Sequence, residues 1–269
     1  MQLPMYSQNT NLMATMSKKT KKSHVAETVD DFQEFFSELQ DRFFGERYSE
    51  WVFRGHSKAN YDLRPAIGRE KHTESSFAKF EESIFSLFKR ESAPFIALAL
   101  QNDYEWLALA QHHGLPTRLL DWSFNPFIAL YFAVAQNPDE DGALWALRAP
   151  KRLSDARLLE GQPFSLDGDR KFLPRSISPR FQNQEGLFII RSDPETCMTD
   201  SLRDDWELTK FQIKNNLKED IQYYLFRLGI HHGKLFPDLV GLCEHLKWRH
   251  TIRPAEAAAK DVLNKDPTE

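Results

Sequence analysis

The chain has 269 residues, enough for a substantial core in one domain or one domain with appendages, and its 41% hydrophobic content with 21 Phe and 6 Trp excludes a disordered polymer. A net charge of −4 supplies no global attraction for nucleic acid, so only a local basic patch remains as a route to it. Cys197 and Cys243 are far apart and lack ligand spacing, which argues against a disulfide framework or a zinc site and for a reducing, cytoplasmic compartment. The longest apolar runs, 95–100 and 127–135, are too short to span a bilayer.

Residues 1–27 lack the apolar stretch of a signal peptide and any periodicity, and are expected to be a disordered extension whose Lys18, Lys19, Lys21 and Lys22 are solvated. Val29, Phe32, Phe35, Phe36, Leu39 and Phe43 then recur at steps of three and four, predicting an amphipathic helix over 28–43 with its start signal at Thr28 and Asp31. Residues 51–55 (WVFRG) read as a short strand with Arg54 at its end. Phe77, Phe80, Ile84, Phe85 and Phe88 predict a second helix over 75–90. A third, over 104–112, is closed by Gly114.

The segment 111–135, QHHGLPTRLLDWSFNPFIALYFAVA, places the charges Arg118 and Asp121 in an apolar run, where they need partners. Two readings stand side by side. The charges pair with each other to hold a loop, or they belong to a polar site feeding the start of a helix, where free N–H groups favour anions. That helix begins at Asn125-Pro126, a capping residue followed by proline, and is apolar on nearly every face, so it is buried.

Residues 142–147 predict a strand, and 151–174 an irregular connection or flap. Residues 184–190 predict a strand with the polar lead Gln184-Glu185, and 211–213 one more. Helices follow over 218–228 and 235–248, and 251–269 is expected to be a tail. Helices in the first half and short strands thereafter give α+β, with a mainly helical N-terminal half and a small, mostly antiparallel split sheet.

The order Trp51 to Gly55, then Leu107 to Pro126 with Ala129-Leu130-Tyr131-Phe132-Ala133, then Arg180 to Phe188, resembles the FRG domain family, named for its Phe-Arg-Gly motif. The likeness extends over residues 28–250. By motif order it implies an ADP-ribosyltransferase-like fold around NAD, with a toxin or phage-defence context. The implied positions are Arg54 on the first strand, Thr117 to Ser123 leading into the 125–135 helix, and Gln184 or Glu185 on the third. Only one of that adjacent pair can face a pocket from a strand.

In that arrangement Glu185, or Gln184 with less power, stabilises the ribosyl cation formed when the nicotinamide bond breaks, beside Arg54. Arg54 and Arg118 take the pyrophosphate. Gly55, His56, Thr117, Asp121, Ser123, Asn125 and Tyr131 complete the cofactor-binding set, without a metal. The acceptor is a macromolecule or water. The contrasting reading is a non-catalytic nucleotide-binding or protein-interaction module in which the same side chains form a structural polar core. A shared cleft between Arg54 and Gln184 or Glu185 favours binding, and mutual hydrogen bonds without a void favour structure.

Overall fold

A computed structural model describes residues 25–45, 50–96, 99–150, 153, 155–175 and 178–252. In chain order the elements are β1 (Val25–Val29), α1 (Phe32–Leu39), β2 (Trp51–His56), α2 (Phe77–Glu91), α3 (Asp103–His112), β3 (Leu119–Ser123), α4 (Pro126–Val134) and β4 (Gly142–Arg148). The second half adds α5 (Asp155–Glu160), β5 (Arg170–Phe172), α6 (Pro179–Asn183), β6 (Gly186–Ile190), β7 (Glu207–Ile213), α7 (Lys218–Arg227), α8 (His232–Leu235) and α9 (Leu239–Lys247).

The strands form one sheet in the order β1-β7-β4-β2-β3-β6-β5. The edge pair β1–β7 is parallel and the other pairs are antiparallel. Pairing runs the length of β2 against β4, from Trp51 opposite Arg148 to His56 opposite Ala143, and of β3 against β6. Between β2 and β3 the register holds only Phe53 opposite Ser123. The sheet is therefore split beyond that point, along Arg54, Gly55 and His56.

Strand alternation sorts the core into layers. Trp51, Phe53, Leu144, Phe211 and Ile213 pack against α1, α4 and α7, while Leu119, Phe188 and Ile190 pack against Phe85 of α2 and Tyr104 and Leu107 of α3. On the opposite face Val52, Trp122, Trp145, Leu187 and Ile189 are covered by Leu63, Met198 and Trp206. Helix α4 sits directly on β2. Its start is fixed by the Asn125 side chain, which accepts from the amides of Phe127 at 3.0 Å and Ile128 at 3.4 Å, with Pro126 in the first turn. Gly55 permits the approach, since a Cβ there would lie 1.9 Å from the Ala129 carbonyl oxygen.

Several expectations need correction. The helix foreseen over 28–43 starts at Phe32 with Asp31 as its cap, because Thr28 is drawn into β1 opposite Gln212 of β7. Residues 25–27, expected within the disordered lead, belong to the same strand, and residues 1–24 and 253–269 lie outside the described residues. The N-terminal half contributes β1, β2 and β3 to the sheet beside its helices α1–α4. The connection over 151–174 holds α5 and β5. The last helix is broken around Pro237 into α8 and α9. Among the described residues no helix is long and apolar enough to cross a membrane.

Candidate functional site

The two arginines singled out from the sequence occupy opposite environments. Arg118 enters β3 almost fully buried, and both oxygens of Glu81 on α2 accept from its guanidinium, with Nε donating at 2.8 Å. Its Nη1 donates to the carbonyls of Arg191 at 3.1 Å and Pro163 at 3.3 Å, and Phe164 lies under it. Every part of this cation is used to join α2 to the end of β6. Arg118 and Asp121 do not pair. They are three positions apart along an extended chain and so point to opposite sides.

Arg54 lies at the split. Its Nη1 donates to the main-chain carbonyl of Asp121 across the gap where β2 and β3 no longer pair, and stands 3.7 Å from the Asp121 carboxylate. Burial lowers its pKa from the ordinary arginine value, Asp121 opposing and Arg69 adding to the effect. Its Nε donates to His56 Nε2 at 3.0 Å, which leaves His56 Nδ1 to carry the proton and donate to the Tyr61 carbonyl at 3.2 Å. Burial, then the neighbouring Arg54 charge, pushes His56 down to about 3, so the imidazole is neutral at pH 7.

The Asp121 carboxylate is exposed and is oriented from behind. Gln111 at the end of α3 donates to it at 2.9 Å, and buried Thr117 donates to the side-chain oxygen Oε1 of Gln111 at 2.7 Å while accepting from the Leu119 amide. Thr117 thus reaches the site through Gln111. Below it, the buried Lys218 ammonium donates to the carbonyls of Ser57 at 2.7 Å, Gln136 at 3.0 Å and Asn137 at 2.9 Å. This ties the exit of β2 to the exit of α4, and burial lowers the pKa of the amine.

Gln184 and Glu185 stand before β6 rather than in a strand, and they diverge. Gln184 ends α6, and Glu185 takes the left-handed conformation with φ of 46°. The Glu185 carboxylate accepts from Asn125 Nδ2 at 3.1 Å and its carbonyl from the Phe124 amide at 3.1 Å, so it braces the start of α4. Ser123 donates to the Gln184 carbonyl at 2.8 Å and accepts from the Asn125 amide. The Gln184 carboxamide donates to the Leu235 carbonyl at 3.3 Å.

A cleft of about 530 Å³ opens along the split and over α4 toward α7–α9. Arg54, Gly55, His56, Asp121, Ser123, Tyr131 and Gln184 line it, whereas Thr117, Arg118, Asn125 and Glu185 do not. Trp122, on the same sheet face as Arg54, also lines the cleft, and its Nε1–H is buried without a partner among the described residues. Residues that sequence reasoning did not place in the site include Gln111, Arg180, His231, His232, Phe236, His245 and Trp248. Arg180 has no carboxylate partner among the described residues and lies 4.3 Å over the ring of Phe236. The adjacent His112 also lines the cleft, and burial lowers its pKa with help from His113 and Arg180. Among the described residues no group of His, Cys, Asp and Glu could hold a metal ion.

Residues 49–142, from just before β2 to the first residue of β4, match the FRG domain family. The matched segment includes the cleft residues Arg54, Gly55, His56, Gln111, Asp121, Ser123 and Tyr131, whereas Arg180, Gln184 and the cleft residues of α7–α9 come from the chain after it. No curated protein and no solved structure matches the chain.

Proposed function

Residues 49–142 of this chain belong to the FRG domain family, and on that premise we propose that the cleft binds a nucleotide of the NAD type and breaks its nicotinamide–ribose bond in the manner of an ADP-ribosyltransferase or NAD glycohydrolase. The observation that carries the reading is the convergence of Arg54, Asp121 and Gln184 on one open cleft. The cleft is of the size that small-molecule sites have. Arg180, which has no carboxylate partner among the described residues, offers a guanidinium for a phosphate.

In the reaction the C1′–N bond breaks, nicotinamide leaves with the electron pair, and water or a nucleophile of a macromolecule adds to C1′ and loses a proton. What this chain supplies is an oxygen facing the developing ribosyl cation. Asp121, held by Gln111 and Arg54, is the carboxylate at the split. Gln184 contributes a carboxamide oxygen, while Glu185 is committed to the turn beside Asn125. A second reading, nucleotide binding without turnover, is favoured by Gln184 rather than Glu185 reaching the cleft, because a carboxamide carries no charge.

The test is NAD-dependent thermal stabilisation of the wild type and of Arg54→Ala, with mass spectrometry for released nicotinamide and for ADP-ribose on protein. Stabilisation of the wild type alone, with nicotinamide released, is the expected result. Stabilisation without release supports the second reading. An equal shift in Arg54→Ala, or none in the wild type, rejects the site.

A further inference from the structure

The end of the cleft formed by α7–α9 is built from rings. His231 and His245 stack with centroids 4.1 Å apart and planes 24° apart, and the Trp248 plane is 21° from that of His245. Beside them His232 and Phe236 stack at 4.2 Å and 15°, with Arg180 on Phe236. Gly233 makes room for the stack, since its Cβ position is 3.2 Å from the His245 side chain.

Ordinary core packing does not explain this arrangement. Among the described residues the Nδ1 atoms of His231 and His245 are both buried without a partner, and His245 is only 9% exposed. A polar atom left that way costs about 1–3 kcal/mol, so two of them side by side in the cleft wall are groups whose hydrogen bonding a bound molecule or water would complete. Burial lowers the pKa of His231, His232 and His245, leaving neutral rings with one donor and one acceptor each, of which the His232 Nδ1 is already held by the Tyr131 hydroxyl at 3.1 Å. Such rings can answer the mixed edge of a heterocycle as well as its face. Arg180, with one face covered by Phe236, keeps its N–H edge for an anion next to the stack.

We propose that this end of the cleft is a nucleobase site, in which the imidazole and indole rings stack on the purine of an adenine nucleotide and Arg180 takes its 5′-phosphate. The inference rests on the nucleotide reading of the cleft and assigns which part of the nucleotide lies where.

Calorimetric titration with AMP and with ribose 5-phosphate tests it. The wild type binds AMP at least about tenfold more tightly than ribose 5-phosphate. Trp248→Ala removes about a tenfold share of the AMP affinity and leaves ribose 5-phosphate unchanged, and Arg180→Gln weakens both. A measurement on the wild type alone guards against misfolding of a variant: the imidazole ¹⁵N signals of His231 and His245 shift on adding AMP and not on adding ribose 5-phosphate. If NAD stabilises the protein while AMP leaves those signals in place, or if AMP and ribose 5-phosphate bind equally, the nucleobase site falls and the nucleotide cleft stands. If neither AMP nor NAD binds, both fall.

Discussion

Arg54 donates its Nε–H to Nε2 of His56 across 3.0 Å, two positions along one strand and on one face of the sheet. An imidazolium has no lone pair to accept that bond, so the pair exists only while His56 is neutral. The unfolded chain takes up a proton at this residue near the ordinary value of 6.5, whereas the folded protein refuses it until about 3. Stability is therefore complete above pH 6.5 and declines as pH falls through that window, by on the order of a few kcal/mol for a group this buried. His231, pushed down to about 4 mainly by burial, adds a loss of the same sign. Urea unfolding at a series of pH values should show the decline, and His56→Gln should flatten it.

Turnover separates the three oxygen-bearing residues. Asp121→Asn and Gln184→Ala are each expected to lower NAD cleavage by about a hundredfold, the scale of a lost electrostatic stabiliser. Glu185→Gln is expected to act mainly on stability, through the Asn125 contact at the start of α4. Steady-state rates of nicotinamide release, read beside melting temperatures, check both statements. A hundredfold rate loss in Glu185→Gln at unchanged stability would reverse the assignment.

Gly55→Ala is expected to be among the most damaging single-methyl changes in the chain. The added carbon would meet the backbone of α4 at 1.9 Å, and neither a strand nor a buried helix can yield by that much. A loss of about 3 kcal/mol or more follows, at the upper end for overpacking. Gly45→Ala, where nothing lies within 4 Å, is the matched control and should melt like the wild type.

Glu81→Ala leaves the Arg118 guanidinium buried without its carboxylate and is expected to destabilise the fold by about 3–5 kcal/mol. Denaturant titration measures this. Nucleotide binding by the folded fraction should persist, because Arg118 does not face the cleft.

What the sequence disclosed and what it withheld divide along a physical line. Local chemistry was legible: Asn125-Pro126 announces α4, Gly114 with φ of 86° closes the turn after α3, and Trp51 to Gly55 is a strand. Partners distant along the chain were not. Arg118 finds Glu81 thirty-seven positions earlier, so its burial could be foreseen but not its mate. Thr28 reads as a helix start until β7 offers it a parallel strand edge. Of Gln184 and Glu185, a two-residue strand period says that one is hidden; the left-handed turn at Glu185 decides which, and no periodicity carries that. The ring stack brings His231, just before α8, onto His245 and Trp248, which lie one helical turn apart at the end of α9; spacing aligns the second pair and not the first.

The single register pair between Phe53 and Ser123 makes the sheet two plates joined at a rivet. Arg54, reaching to the Asp121 carbonyl, is the latch across the open seam beyond it. A ligand phosphate that draws this guanidinium outward would break its hydrogen bond to the Asp121 carbonyl, the side-chain bond that spans the seam. Amide exchange along 119–123 is where that loss would register.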